Sequence, residues 1–234
     1  MNKGKLFLIP TPLSMDALHT IPPYVVALIH RLEVFIAERA KTARHFIKAT
    51  NPPYPLSILT VIEIENDTQS VDFQEIKKII DTGKDIGIMS EAGCPGIADP
   101  GAKIVEWAHR QDISVVPMVG PSSILLAVMA SGMNGQSFTF HGYLTAKRGD
   151  LGKDLKRLEE LARKHNQTQI FIETPYRNNP LIETALTTLS PQTKFCIAVD
   201  ITGENEFICT KSIAEWRKMG ALDFHKRTAI FLIG

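Results

Sequence analysis

Apolar and polar positions along this chain follow two successive rhythms. Short, mostly apolar runs at residues 5–9, 33–37, 57–62, 86–90 and 113–118 have the length and make-up of strands buried on both faces. Between them, apolar residues recur at helical spacing: Tyr24, Leu28 and Leu32 behind Pro22 and Pro23, a stretch reaching about Ala49, then Ile76, Ile79 and Ile80 within 73–82. Ile104, Val105 and Ala108 continue the series after residue 100. Strands alternating with helices in this way predict a parallel sheet covered on both faces.

The second half obeys a different grammar. Strands are expected at 137–143, 168–173, 194–201, 206–210 and 227–233, with helices at about 150–165 and 180–189. Ser212-Ile213-Ala214-Glu215 has capping-box spacing and opens a further helix. Thr202-Gly203-Glu204-Asn205 joins two strands by a hairpin-like connection, so this sheet is mixed. The expected fold class is α/β: an N-terminal αβα domain with a parallel sheet over 1–118, and a C-terminal αβα domain with a mixed sheet over 121–234.

Composition narrows the function classes. A chain of 234 residues with 44% hydrophobic content can build such cores. The net charge of +1 gives no global basic field, so any nucleic-acid contact must be local. Cys94, Cys196 and Cys209 are an odd set without metal-ligand spacing, and Cys196 and Cys209 sit in apolar strand-like runs. No metal is expected, and a reduced, cytoplasmic protein is the economical reading. The apolar run at 6–10 is too short for a signal peptide, and nothing approaches a membrane span.

Candidate chemistry concentrates at strand ends. The segment 91–101, Glu-Ala-Gly-Cys-Pro-Gly-Ile-Ala-Asp-Pro-Gly, follows an apolar run and can continue neither strand nor helix. Asp99 can cap the next helix and Pro100 suits its first position. Such a loop is either a ligand wall, with backbone brought close by its glycines, or a rigid turn. Pro10-Thr11-Pro12-Leu13 and Val119-Gly120-Pro121-Ser122-Ser123 also follow strands, so in a parallel sheet all three turns share the carboxyl edge. Ser122 and Ser123 offer hydroxyls and helix N-terminal amides, or simply cap their helix.

Lys41, Arg44 and Lys48 form one basic helical stripe. Residues 141–165 carry seven Lys/Arg against four Asp/Glu, among them Lys147, Arg148, Lys153, Lys156 and Arg157. Each stretch is either a phosphate contact or a solvated helix face. Glu173-Thr174-Pro175-Tyr176-Arg177 combines an acid, a ring and a guanidinium, suited to a substrate or to a salt-bridged loop. No G-x-G-x-x-G, Walker loop, H-E-x-x-H, C-x-x-C or G-x-S-x-G is present.

Taken in order, Phe7-Leu8-Ile9-Pro10-Thr11-Pro12-Leu13, the run 90–101, Val115-Val116-Pro117 with Gly120-Pro121, Gly142-Tyr143-Leu144 with Ala146-Lys147, and Phe171-Ile172-Glu173 with Arg177 resemble the tetrapyrrole-methylase-fold (class III) S-adenosylmethionine-dependent methyltransferases. The nearest branch is that of small-subunit rRNA ribose 2′-O-methyltransferases, and the similarity covers nearly the whole chain. The resemblance implies S-adenosylmethionine in a cleft between two domains, an rRNA or small-ribosomal-subunit partner, and a homodimer. By position it assigns cofactor contacts to Leu13, Cys94, Ile97, Ser123, Ile124, Ile172, Thr228 and the neighbourhood of 199–201. Lys41, Arg44, Lys147, Arg148 and Arg177 would then meet substrate, with Glu91 or Glu173 as a base for a ribose hydroxyl.

Two segments depart from that branch: Ser14-Met15-Asp16 replaces Gly-Asn-Leu, and Ala37-Glu38-Arg39-Ala40-Lys41 replaces Ala-Glu-Asp-Thr-Arg. The alternatives are the same fold methylating a tetrapyrrole-like small molecule, or a cofactor- or RNA-binding module without turnover.

Overall fold

The apolar runs of the first half become five parallel strands: β1 (Leu6–Ile9), β2 (Val34–Ala37), β3 (Thr60–Glu63), β4 (Ile86–Met89) and β5 (Val115–Pro117), in the order β3-β2-β4-β1-β5. The computed structural model describes residues 3–64, 71–145, 148–220 and 222–234. These divide into two compact units, Met1–Ser122 and Ser123–Gly234.

The period of two explains how the first sheet is covered. Along β2, Phe35 and Ala37 enter one core while Val34 and Ile36 enter the other. The first core receives α1 (Pro23–Arg31) and α2 (Ala40–Ala49) through Val25, Leu28, Ile29, Phe46 and Ile47. The second receives α3 (Phe73–Asp81) and α4 (Gly101–Arg110) through Ile76, Ile80, Ile104 and Ala108. Asp72 starts α3 by accepting from the amides of Gln74 and Glu75 at 2.9 and 3.1 Å. β4 carries Gly87 because a Cβ there would lie 2.7 Å from Ile9 Cδ1.

The strand expected at 57–62 moves. A 3-10 turn occupies Leu56–Ile58, and β3 starts at Thr60. The Ile58 and Leu59 amides close that turn on the carbonyls of Pro55 at 3.3 Å and Leu56 at 3.2 Å, and the Arg44 guanidinium holds it by donating to the carbonyls of Leu56 at 2.7 Å and Leu59 at 3.0 Å.

The second unit holds α5 (Ser123–Ser131), β6 (Phe138–Tyr143), α6 (Arg148–His165), β7 (Thr168–Glu173), α7 (Asn178–Thr188), β8 (Lys194–Val199), β9 (Phe207–Ser212), α8 (Ile213–Lys218) and β10 (Ala229–Ile233). Its sheet runs β6-β7-β10-β8-β9, with β6 parallel to β7 and the remaining pairings antiparallel, the mixed sheet expected. Phe171, Phe195 and Phe231 stack across the sheet beneath α6, α7 and α8, with ring centroids 5.8 and 5.9 Å apart. α5 packs on β9 and β10. Ser212 and Glu215 form the expected capping box at α8. No helix among the described residues is long and apolar enough to cross a membrane.

Candidate functional site

The strand order itself marks a place for a ligand. β1 and β4 are neighbours, yet the chain leaves β1 toward β2 through α1 on one face and leaves β4 toward β5 through α4 on the other. Adjacent parallel strands whose connections diverge open a crevice at their carboxyl ends, where α/β sheets bind ligands. Three loops meet there: those after β1, β4 and β5.

The first two loops are joined through their backbones. Thr11 donates its amide to the Gly93 carbonyl at 2.9 Å and Gly93 returns the bond at 3.0 Å. Thr11 Oγ1 donates to the Ser90 carbonyl at 3.2 Å, and Ser90 Oγ to the Gly93 carbonyl at 2.8 Å, so both buried hydroxyls are satisfied. Gly93 has a φ of +79°, and a Cβ there would lie 3.2 Å from Leu13 Cδ2 and 3.6 Å from the Pro121 carbonyl oxygen. Leu13 is thus brought to the 93 turn, as is the end of the β5 loop. That third loop is tied in by Cys94 Sγ, which donates to the Pro121 carbonyl at 3.4 Å. Burial pushes the Cys94 thiol up, which suits a donor and not a nucleophile. Gly120 rests on the Pro10 ring so closely that a Cβ would sit 2.4 Å from Pro10 Cβ.

Asp99 braces the outer part of the β4 loop. One carboxylate oxygen accepts the amides of Gly96 and Gly101, each at 2.8 Å. α4 begins at Gly101 with Pro100 in the cap position, so the expectation of Pro100 as first helical residue is off by one; Asp99 still serves the helix start through the Gly101 amide. Ile97 projects into solvent, 53% exposed.

Carboxylates gather at the same edge. Burial raises the Glu38 pKa, and the charges of Asp99 and Glu91 raise it further, although its carboxylate accepts the Glu91 backbone amide. Burial likewise raises Asp99 against its two backbone hydrogen bonds. Glu38, directly after β2, was not among the expected acids; its position one residue beyond an apolar strand was the available signal. Glu91 is half-buried in this group.

In the second unit, antiparallel pairing sets Ala229 against both Glu173 and Val199, so the ends of β7 and β8 meet the start of β10. Ile172 and Thr228 share this edge. Asp200 accepts from the Thr228 amide at 3.0 Å and its hydroxyl at 2.9 Å. Ser123 and Ile124 form the first turn of α5.

Several charged candidates have structural partners. The Glu173 side chain is buried; Arg177 pairs with one oxygen and the Thr174 amide donates to the other at 2.6 Å. Of the α2 stripe, Lys41 and Lys48 are exposed, whereas Arg44 is half-buried and clamps the two carbonyls named above. On α6, Lys153 pairs with Asp150, Lys156 with Glu159 and Arg157 with Asp154, so the basic run is offset by its own acids. Lys147 and the side chain of Arg148 lie outside the described residues. Among the described residues no group of three or more His, Cys, Asp or Glu could hold a metal ion.

Residues 10–216 match the family described as Tetrapyrrole (Corrin/Porphyrin) Methylases. The chain is 29% identical over 174 residues to Ribosomal RNA small subunit methyltransferase I of Thermotoga maritima, covering 74% of this chain and 73% of that protein. It is 28% identical over 242 residues to the protein of the same name from Buchnera aphidicola subsp. Schizaphis graminum, covering 100% of this chain and 79% of that one. The crystal structure of the methyltransferase CobJ superposes with a TM-score of 0.64 at 17% identity, over 99% of this chain and 94% of that chain, a likeness of fold alone.

Proposed function

The chain belongs to the tetrapyrrole methylase family, and from that premise we propose that it is an S-adenosylmethionine-dependent methyltransferase acting on a ribose 2′-hydroxyl of small-subunit rRNA. The names of the relatives from Thermotoga and Buchnera support the rRNA acceptor. The observation that carries the reading is the three-loop junction at the β1–β4 divergence, where Gly93 and Gly120 let Leu13 and Pro10 pack close against backbone and Thr11, Cys94 and Pro121 lock the loops together.

That junction suits the methyl donor. Leu13, Cys94 and Ile97 are the residues of this unit that we assign to it. When bound, the sulfonium supplies an already activated methyl group. The residues then have to hold the acceptor hydroxyl in line and exclude water, a task for stiff loops. Pro10, Pro12 and Pro95 limit loop motion, and the Thr11–Gly93 pair fixes their spacing. A ribose hydroxyl must also lose its proton. Glu173 has both carboxylate oxygens engaged, so it positions Arg177, and Glu91 is the remaining expected base. Lys41 and Lys48 are the exposed cations of α2 open to phosphates. A homodimer in a reduced cytoplasm belongs to the same reading.

Calorimetry with S-adenosylmethionine and its demethylated product tests the cofactor. Nucleoside mass spectrometry of rRNA from a strain lacking the protein tests the acceptor, with one missing 2′-O-methyl nucleoside expected. No cofactor binding, or an unchanged set of methylated nucleosides, would overturn the proposal. Glu91→Gln is expected to lower kcat by about 10²-fold or more with cofactor affinity retained.

A further inference from the structure

Beyond the end of β7, a second pair of loops is interlocked. Pro175 accepts the Lys226 amide at 3.0 Å. Asn178, fully buried, donates its side-chain amide to the carbonyls of Phe224 at 3.1 Å and Arg227 at 2.7 Å. Asn179 accepts the Phe224 amide at 2.9 Å and donates to Asp223 at 2.9 Å. On this fixed backbone the Tyr176 ring stands 66% exposed. Its one ring neighbour among the described residues is His225, edge to face at 71° with centroids 5.6 Å apart.

We propose that Tyr176, braced by His225, is a stacking platform for one unpaired base of the RNA, with Arg177 and Lys226 at its rim to meet the adjoining phosphates. The proposal rests on the rRNA reading above and adds the element that grips the strand. A large ring left in water on a rigid loop loses little conformational freedom when a base stacks on it. Stacking is how proteins hold single-stranded RNA whose bases are splayed out, and it tolerates any base because each has a π-face. Lys226 is exposed beside His225 in the chain, the Arg177 side chain stays 35% exposed while it pairs with Glu173, and the Asp223 carboxylate accepts the His225 amide at 3.0 Å. Arg227 takes no part, because it is held by Asp200 at 2.7 Å and lies over the Phe224 ring. Tyr176 stands three residues past Glu173, the end of β7.

The test uses the full chain and a single-stranded RNA oligomer carrying 2-aminopurine, whose fluorescence is quenched on stacking. Wild type and Tyr176→Phe are expected to bind with quenching. Tyr176→Ala is expected to bind about tenfold more weakly, without the quench, while its calorimetric affinity for S-adenosylmethionine and its Tm stay at wild-type values. His225→Ala should weaken binding less. Equal binding and quenching by Tyr176→Ala, or equal loss in Tyr176→Phe, overturns the platform and leaves the rRNA reading intact. If wild type does not bind the oligomer, the platform also falls. Methylation of undermodified small ribosomal subunits by the same preparation then decides whether the rRNA reading falls with it.

Discussion

Thr11 and Gly93 exchange backbone hydrogen bonds in both directions, at 2.9 and 3.0 Å, across the point where the chain leaves β1 and β4 on opposite faces. This isolated antiparallel bridge lies beyond the parallel β1–β4 ladder and converts two loops into a single rigid edge. A positive φ at Gly93 is what turns the carbonyl and amide to face Thr11, so the glycine is required by conformation as well as by space.

Gly93→Ala should therefore destabilise the protein by about 1–2 kcal/mol from the left-handed conformation alone, lowering Tm by about 2–8 °C for a chain of this size. The new methyl group also presses on Leu13 Cδ2 at 3.2 Å, so affinity for S-adenosylmethionine should fall with it. Scanning calorimetry and titration calorimetry read the two effects separately. Wild-type Tm together with wild-type affinity would remove the loop junction from the proposed site.

Gly120→Ala should act in the opposite proportion. Its Cβ would lie 2.4 Å from Pro10 Cβ and 2.7 Å from Cγ, and a proline ring cannot rotate away. The loops after β1 and β5 must separate, an overpacking cost of about 1–3 kcal/mol, while the strands beneath keep their register. Cofactor affinity is expected to drop at least tenfold, with secondary structure by circular dichroism unchanged.

How much of this was legible in the sequence depends on whether a local pattern or a long-range partner decided each element. β1, β2 and β4 were readable because a strand buried on both faces must be an unbroken apolar run, and the α8 capping box because its partners are three residues apart. The convergence of the loops at 10–13, 90–101 and 118–122 followed from parallel pairing alone. β3 was misplaced because residues 56–58 close a 3-10 turn that Arg44, twelve residues upstream of Leu56, holds in place. Glu38 went unremarked as an acid because its character comes from burial first and then from Asp99 and Glu91, all of which only folding supplies.

Arg44 and Lys41 should separate cleanly in mutagenesis. Arg44→Ala leaves the buried Leu59 without its charged donor and is expected to cost about 2 kcal/mol, visible as a lower urea midpoint at an unchanged m-value. Lys41→Ala removes an exposed side chain and should leave that midpoint alone. If α2 faces RNA, Lys41→Ala weakens RNA binding and lowers the salt slope by about one. A Lys41→Ala protein with an unaltered salt slope would take α2 out of the RNA surface.

The carboxylates of Glu38 and Asp99 make a prediction with a definite sign. Burial, with the neighbouring charges of Asp99 and Glu91 added for Glu38, raises both pKa values above those of the unfolded chain. The folded protein then holds these protons more tightly than the unfolded one. Their contribution is most favourable below the ordinary carboxylate range and declines as pH rises from about 4 through the raised values. Glu38→Gln removes this titration, so its stability relative to wild type should improve between about pH 4 and pH 7. Asp99→Asn should show the same trend while its side-chain oxygen still accepts the Gly96 and Gly101 amides, which keeps the loop closed. Urea unfolding of wild type and both variants at the two pH values measures the difference directly. Variant-minus-wild-type stabilities that are equal at pH 4 and pH 7 would mean that neither carboxylate is strained at neutral pH, and that Glu38, Glu91 and Asp99 do not act on one another across the carboxyl ends of β2 and β4.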